Sequence, residues 1–192
     1  MGDRALFLGK FLRHGTAIAS LAPSSRWLSR ATVAQIDWDR TEVLVELGAG
    51  TGPITREIVA RARPQSRVLV FERDADFASL LRERFSHLAH VEVIEADVGN
   101  LGPSLADRGV GRVDEIVSGL PVPSFPRALQ VNLFRTVRDV LRPDGGFHQI
   151  TELPWVYWRF YRRYFDAVRF RFEPRNIPPA GVYYCRNVKD VV

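Results

Sequence analysis

The sequence predicts an α/β domain built on a seven-stranded, mostly parallel sheet, with helices on both faces and a closing antiparallel hairpin. Three observations predict it. Short apolar runs near 42–47, 67–72, 91–95 and 113–118 read as strands and alternate with helical stretches near 53–62, 75–85 and 126–141. Strands separated by helices pair in parallel, because a crossover is needed to return to the same edge of the sheet. The first strand runs directly into a glycine-rich turn, and the chain ends in two runs, Arg169 to Glu173 and Val182 to Arg186, that read as an antiparallel pair.

Taken in order, residues 1–38 read as N-terminal amphipathic and lid helices, and residues 39–192 as the core domain. On a helical wheel Ala5, Leu8, Phe11, Leu12 and Ala19 share one side, flanked by Phe7 and Ile18, with Lys10, Arg13 and His14 opposite. Pro23-Ser24-Ser25 stops that helix, and a serine there caps a second one through Trp27 and Leu28. Strand one is Val43 to Leu47, followed by Gly48-Ala49-Gly50-Thr51-Gly52 and a helix from Pro53. Val68 to Glu72, Val91 to Glu95 and Val113 to Val117 follow as strands two to four. Arg142-Pro143-Asp144-Gly145-Gly146 ends a helix and turns the chain into a fifth strand, Phe147 to Thr151.

The segment from Trp155 to Phe165 has three readings. Seven of its eleven residues are aromatic, and its only charges are Arg. Aromatics with Arg suit a membrane–water boundary, they also stack on unpaired bases, and the same pattern describes a helix whose rings fill the core.

At 192 residues and 46% hydrophobic content the chain supports one full core, and 26% charged residues exclude a disordered class. No apolar run is long enough to span a bilayer, and the N-terminus lacks a signal-peptide pattern. Cys185 is the only cysteine, which excludes an internal disulfide and argues against a cysteine-built metal site; no metal is expected, and the cytoplasm is the expected compartment. A net charge of +5, carried by Arg except at Lys10 and Lys189, attracts phosphate on nucleic acid or on an anionic membrane.

The chemistry sits at the strand ends. Glycines let the backbone turn sharply and lie against a ligand. An acid before the turn, Glu46, is a poor neighbour for a pyrophosphate and a good one for a cationic group. Glu72, about 20 residues on, has the spacing of a carboxylate that accepts from both hydroxyls of a ribose. Asp97 ends the third strand, and Ser118-Gly119-Leu120-Pro121 follows the fourth.

The run Glu46-Leu47-Gly48-Ala49-Gly50-Thr51-Gly52 resembles motif I of the class I S-adenosylmethionine (SAM) methyltransferases, whose core is Rossmann-like. The resemblance implies a SAM site, yielding S-adenosylhomocysteine, formed by Glu46, Gly48, Gly50, Thr51, Gly52, Glu72, Arg73, Asp97, Val98 and Ser118, with Asp97 near the adenine. Three further strings, Ile18 to Ser25, Ser118 to Pro126 and Pro178 to Tyr184, resemble the soluble, rhizobial-type bacterial phospholipid N-methyltransferases. That family methylates the headgroup amine of phosphatidylethanolamine toward phosphatidylcholine. It implies a peripheral enzyme on the inner face of the cytoplasmic membrane, a monomer that takes a phospholipid substrate and no nucleic acid. Phe7, Lys10, Phe11 and Arg13 would touch the membrane.

The amine must lose a proton before attack. His148 and Glu152 are candidate acceptors, as are the carbonyls of Ser118, Gly119, Leu120 and Pro121. Phe125 or Tyr184 offers a π face to a methylated ammonium, and Arg175 or Arg186 a partner for the lipid phosphate. Glu152 stands where the family often has an aromatic, which opens the alternative of an ornithine lipid. The ribosomal RNA adenine methyltransferases carry an Asn-initiated loop with an aromatic after strand four; Ser118 and Val122 depart from it. A SAM-binding membrane protein without catalysis is the non-enzymatic alternative.

Overall fold

The computed structural model describes residues 24–153 and 155–190. Seven strands form one sheet in the order β3-β2-β1-β4-β5-β7-β6. They are β1 (Val43–Leu47), β2 (Arg67–Glu72), β3 (Val91–Glu95), β4 (Val113–Ser118), β5 (Leu141–Thr151), β6 (Phe165–Glu173) and β7 (Ala180–Val188). The first five are parallel, and β7 runs antiparallel between β5 and β6. This is the expected sheet. The chain reverses direction between β1 and β4, so the ends of those two central strands border the crevice where such folds take ligands.

The parallel strands are buried on both faces, which is why they read as unbroken apolar runs. On one face lie α1 (Arg26–Thr32), α2 (Pro53–Val59) and α3 (Ala75–Phe85), packing Leu28, Ile58 and Leu81 toward the sheet. On the other lie α4 (Leu101–Ala106), α5 (Arg127–Val140) and α6 (Trp158–Tyr164). The Ser25 hydroxyl accepts from Leu28 N, so the expected serine cap opens α1. The Tyr184 hydroxyl on β7 donates to the Ala31 carbonyl, and Ser25 N donates to Asn176 Oδ1, which ties both ends of α1 to the C-terminal strands.

Three expectations change. A helix, α4, fills the connection between β3 and β4. Strand β5 begins at Leu141: Val113 pairs with Leu141 and Glu115 with Gly146, so residues 142–145 loop out opposite Asp114 and pairing then resumes. Strand β6 begins at Phe165, four residues earlier than predicted. The N-terminal amphipathic helix, with Phe7, Lys10, Phe11 and Arg13, lies outside the described residues.

The aromatic segment divides. Tyr161, Tyr164 and Phe165 are buried, while Arg159, Arg162 and Arg163 face solvent. Phe134 of α5 stacks on Tyr164 at 3.9 Å between ring centres and meets Phe147 and Phe165 edge-on. Removing that central ring would leave a cavity that three elements cannot close. Phe134→Ala is expected to destabilise the fold by about 3–5 kcal/mol, read by urea unfolding. A loss below about 1 kcal/mol would show that this cluster does not hold α5 and α6 to the sheet.

Candidate active site

The site is made of strand ends. After β1, Gly48, Gly50 and Gly52 all take left-handed backbone conformations, with φ of 72°, 55° and 78°. A side chain at Gly48 would meet Leu120, with its Cβ 2.5 Å from Leu120 Cδ2. After β4, Gly119 N donates to Leu47 O, and a Cβ on Gly119 would sit 2.7 Å from the Gly48 carbonyl oxygen. The turns after β1 and β4 therefore touch backbone to backbone.

The three acids stand around this contact in different states. Glu46 is 1% exposed, and neither carboxylate oxygen has a hydrogen-bond partner among the described residues. Burial, aided by the Glu72 charge and opposed by the neighbouring Thr55, pushes its pKa up from the usual carboxylate range to about 8. Glu72 is buried and engaged: one oxygen accepts from Gly50 N at 2.8 Å and the other from Asp74 N at 2.9 Å. It thus sets the glycine turn against β2, and each oxygen keeps a lone pair for a further donor. Asp97 is exposed and caps the short turn at 98–100 through Gly99 N. Val98 packs into the core behind it, while Arg73 is exposed. Thr51 is buried, and its carbonyl accepts from Arg84.

The loop after β4 is held by a residue outside the predicted set. Gln149 Nε2 donates to the carbonyls of Ser118 (3.1 Å), Leu120 (2.8 Å) and Ile150 (2.9 Å). Those three acceptors fix which end of the amide is nitrogen. Gln149 Oε1 is left buried with no donor among the described residues. The sequence carries no signal for this role, because the acceptors are backbone carbonyls and only the pairing of β4 with β5 sets Gln149 beside Ser118.

A family model described as a methyltransferase domain matches residues 44–145, more than half of the chain. The ornithine lipid N-methyltransferase of Singulisphaera acidiphila is 63% identical over 190 residues, covering 99% of each chain. The chain belongs to the class I SAM-dependent methyltransferases. An rRNA methyltransferase of Streptomyces thermotolerans is 30% identical, over 77% of this chain and 56% of that one. The crystal structure of a Burkholderia thailandensis 1,6-didemethyltoxoflavin-N1-methyltransferase with bound S-adenosylhomocysteine shares the fold. Its TM-score is 0.70 at 16% identity, over 97% of this chain and 87% of that one.

The methyltransferase uses SAM, and the residues at its strand ends fit that cofactor. The unpartnered carboxyl of Glu46 suits the cationic amino group, the Gly48–Gly52 turn leaves room for close approach, and Glu72 has lone pairs for ribose hydroxyls. The remaining predicted residues separate by position. Phe125 is half-buried on the β4–α5 loop, and Glu152 follows the last residue of β5, both at this rim. Arg175 lies on the β6–β7 hairpin, where its Nε and Nη2 donate to the two carboxylate oxygens of Glu173 and its plane stacks on Trp27 at 4.1 Å.

Three residues are not brought to the rim. His148 is buried in mid-strand, and its Nε2 bonds Glu115 Oε2 at 2.6 Å, two positions back toward the amino-terminal edge of β4. Tyr184 pairs with His148 in register and is occupied by Ala31. Arg186 bonds the Asp144 carbonyl and faces Glu115 in a cleft of about 250 Å³ at the opposite edge of the sheet. The charges of that cleft pair one another, with Arg40 on Asp144 and Arg142 on Asp114, so it is a structural network.

Three expected outcomes follow from this geometry. In the cofactor-free protein the raised Glu46 pKa means that the folded state holds a proton the unfolded state has lost. Stability therefore falls as pH rises from the usual carboxylate range toward 8. Glu46→Gln is expected to melt higher than the parent at pH 8.5, with the gap closing by pH 5. The same variant is expected to bind SAM about 10-fold or more weakly at pH 8 and to lose the parent's gain in affinity between pH 6 and 8. Equal affinity by titration calorimetry would remove Glu46 from the site. Gln149→Leu is expected to lower turnover about 10-fold or more while SAM affinity stays within about threefold, since it frees the Ser118 and Leu120 carbonyls without touching the glycine turn.

Proposed function

We propose that this methyltransferase methylates the free amine of an ornithine lipid at the inner face of the cytoplasmic membrane. The observation that carries the reading is the 63% identity, end to end, with the Singulisphaera acidiphila enzyme of that activity. It favours ornithine lipid over the phosphatidylethanolamine that the sequence motifs put first. The headgroup differs in kind: an acylated amino acid presents a carboxylate and an amine, with no phosphate. Glu152 at the end of β5 is consistent with a cationic group arriving at this rim.

The bound cofactor supplies an electrophilic methyl group on a sulfonium. The protein's task is to present a neutral amine in line with it. An alkylamine has a pKa of about 10 and arrives protonated, so the site must favour proton loss. Burial beside the cofactor's positive charge does so. The carbonyls of Ser118 and Leu120, held by Gln149, are the acceptors that orient the remaining N–H groups. His148 is not the base in this reading, because it is buried in mid-strand below the rim with Nε2 bonded to Glu115.

RNA is the second reading, raised by the Streptomyces thermotolerans relative. A flipped adenine needs a stacking face. At the position where the RNA enzymes carry an aromatic, Val122 is fully buried among core side chains.

The deciding experiment is transfer of labelled methyl from SAM into vesicles containing ornithine lipid or phosphatidylethanolamine, with the lipid products separated. Label is expected in methylated ornithine lipid. Label confined to phosphatidylethanolamine would overturn the headgroup, and label in RNA alone would overturn the lipid class.

A further inference from the structure

The large apolar side chains exposed among the described residues gather at one end of the molecule. Leu153, Trp155 and Val156 are 51%, 61% and 63% exposed, and Phe172 and Ile177 are 40% and 84% exposed. The first three lie on the loop between β5 and α6. Phe172 and Ile177 lie at the end of β6 and on the following hairpin tip. Thr151 pairs with Gly181, and Glu173 with Ala180, so both loops extend past the carboxyl end of β5. That is the edge from which the Gly48–Gly52 and Ser118–Pro121 turns also project.

Trp155 and Phe172 are held in place. The Trp155 ring lies 5.6 Å from Phe170 and 5.0 Å from Phe172, joining the two loops. Tyr157 N donates to the Tyr183 hydroxyl and anchors the loop behind it. Trp155 itself has φ of 63°, a left-handed conformation that a bulky residue adopts only where its surroundings enforce it. An exposed indole is thus fixed on the rim by a conformation that glycine would take at lower cost.

The charge around the rim is positive. Arg26 and Arg175 place their guanidinium groups over the Trp27 ring, at 4.5 and 4.1 Å from its centre, and Arg159 and Arg171 are exposed nearby in sequence to the two loops. Arg175 is balanced by the buried Glu173, and Glu152 is an acid on the β5–α6 loop, so the positive flank is carried by the exposed Arg26, Arg159 and Arg171. Apolar tips with Trp and flanking Arg match a bilayer boundary, where rings sit at headgroup depth and guanidinium groups meet lipid anions. A protein partner would not require this positive flank.

We propose that the β5–α6 loop and the β6–β7 hairpin tip form a docking rim that inserts Trp155, Val156 and Ile177 into the interface of an anionic bilayer. The proposal rests on the lipid reading of the substrate and adds a contact outside the N-terminal segment. Docking by this rim turns the cofactor turns toward the membrane, so that a headgroup need not leave the surface to reach them.

The test uses the full chain and vesicles of phosphatidylglycerol with phosphatidylcholine, which contain no amine acceptor. The Trp155→Ser/Ile177→Ser variant is expected to partition at least 10-fold more weakly than the parent in co-sedimentation. Its SAM affinity and its turnover on amine lipid dispersed in detergent are expected to stay within twofold. Undiminished vesicle binding would overturn the proposal, as would equal loss of turnover on dispersed and vesicular substrate, which marks a folding defect. Failure of the ornithine-lipid reading shows separately, as absent transfer to dispersed ornithine lipid by a parent protein that still binds these vesicles.

Discussion

The site depends on two strands ending side by side with nothing between them but backbone. Gly119 approaches the Gly48 carbonyl so closely that a methyl group would sit 2.7 Å from it. Leu120 then covers Gly48, Glu72 receives the Gly50 N–H, and Glu46 is sealed beneath with no hydrogen-bond partner among the described residues. Each of these arrangements requires the previous one. Widening the gap between β1 and β4 would let water reach Glu46, lower its pKa and remove the preference for a cationic ligand.

That preference has a cost. A buried acid without a partner is tolerated in a folded protein only by keeping its proton. The cofactor's ammonium is the missing counterion, so binding and ionisation are coupled through one carboxyl. Glu72 shows the opposite solution: its oxygens are satisfied by backbone N–H groups, and its task is to hold the turn as well as to meet a ligand. Two acids that look alike in the sequence thus divide the work, one as structure and one as a poised charge.

Most of this was legible because it is local. Strand, acid and alternating glycines are contiguous, and the Ser25 cap acts over three residues. What was not legible depends on how far along a strand a side chain sits and which neighbour it meets. His148, Tyr184 and Arg186 belong to the right strands, but they occupy levels below the rim and find Glu115, Ala31 and Asp144 there. Helix α4 was hidden by its own composition: Leu101-Gly102-Pro103-Ser104-Leu105-Ala106 contains two helix breakers and survives by packing Leu101 and Leu105 into the core. Gln149 was hidden because its partners are carbonyls, which no pattern of side chains reveals. The aromatic segment was ambiguous for a real reason, since it supplies both the ring cluster under α5 and the exposed Trp155.

The bonds that fasten α1 join residues far apart in the chain. Ser25 meets Asn176 across 151 positions, and Tyr184 meets Ala31 across 153. During synthesis at about 5–20 residues per second, α1 therefore waits roughly 8–30 s for its partner surface. Until β7 emerges, Leu28 and Ala31 lack Ala180, Val182 and Tyr184, the buried side chains they pack against. The helix that is made first is among the last to dock, and its docking reports that the C-terminal hairpin has been completed and placed.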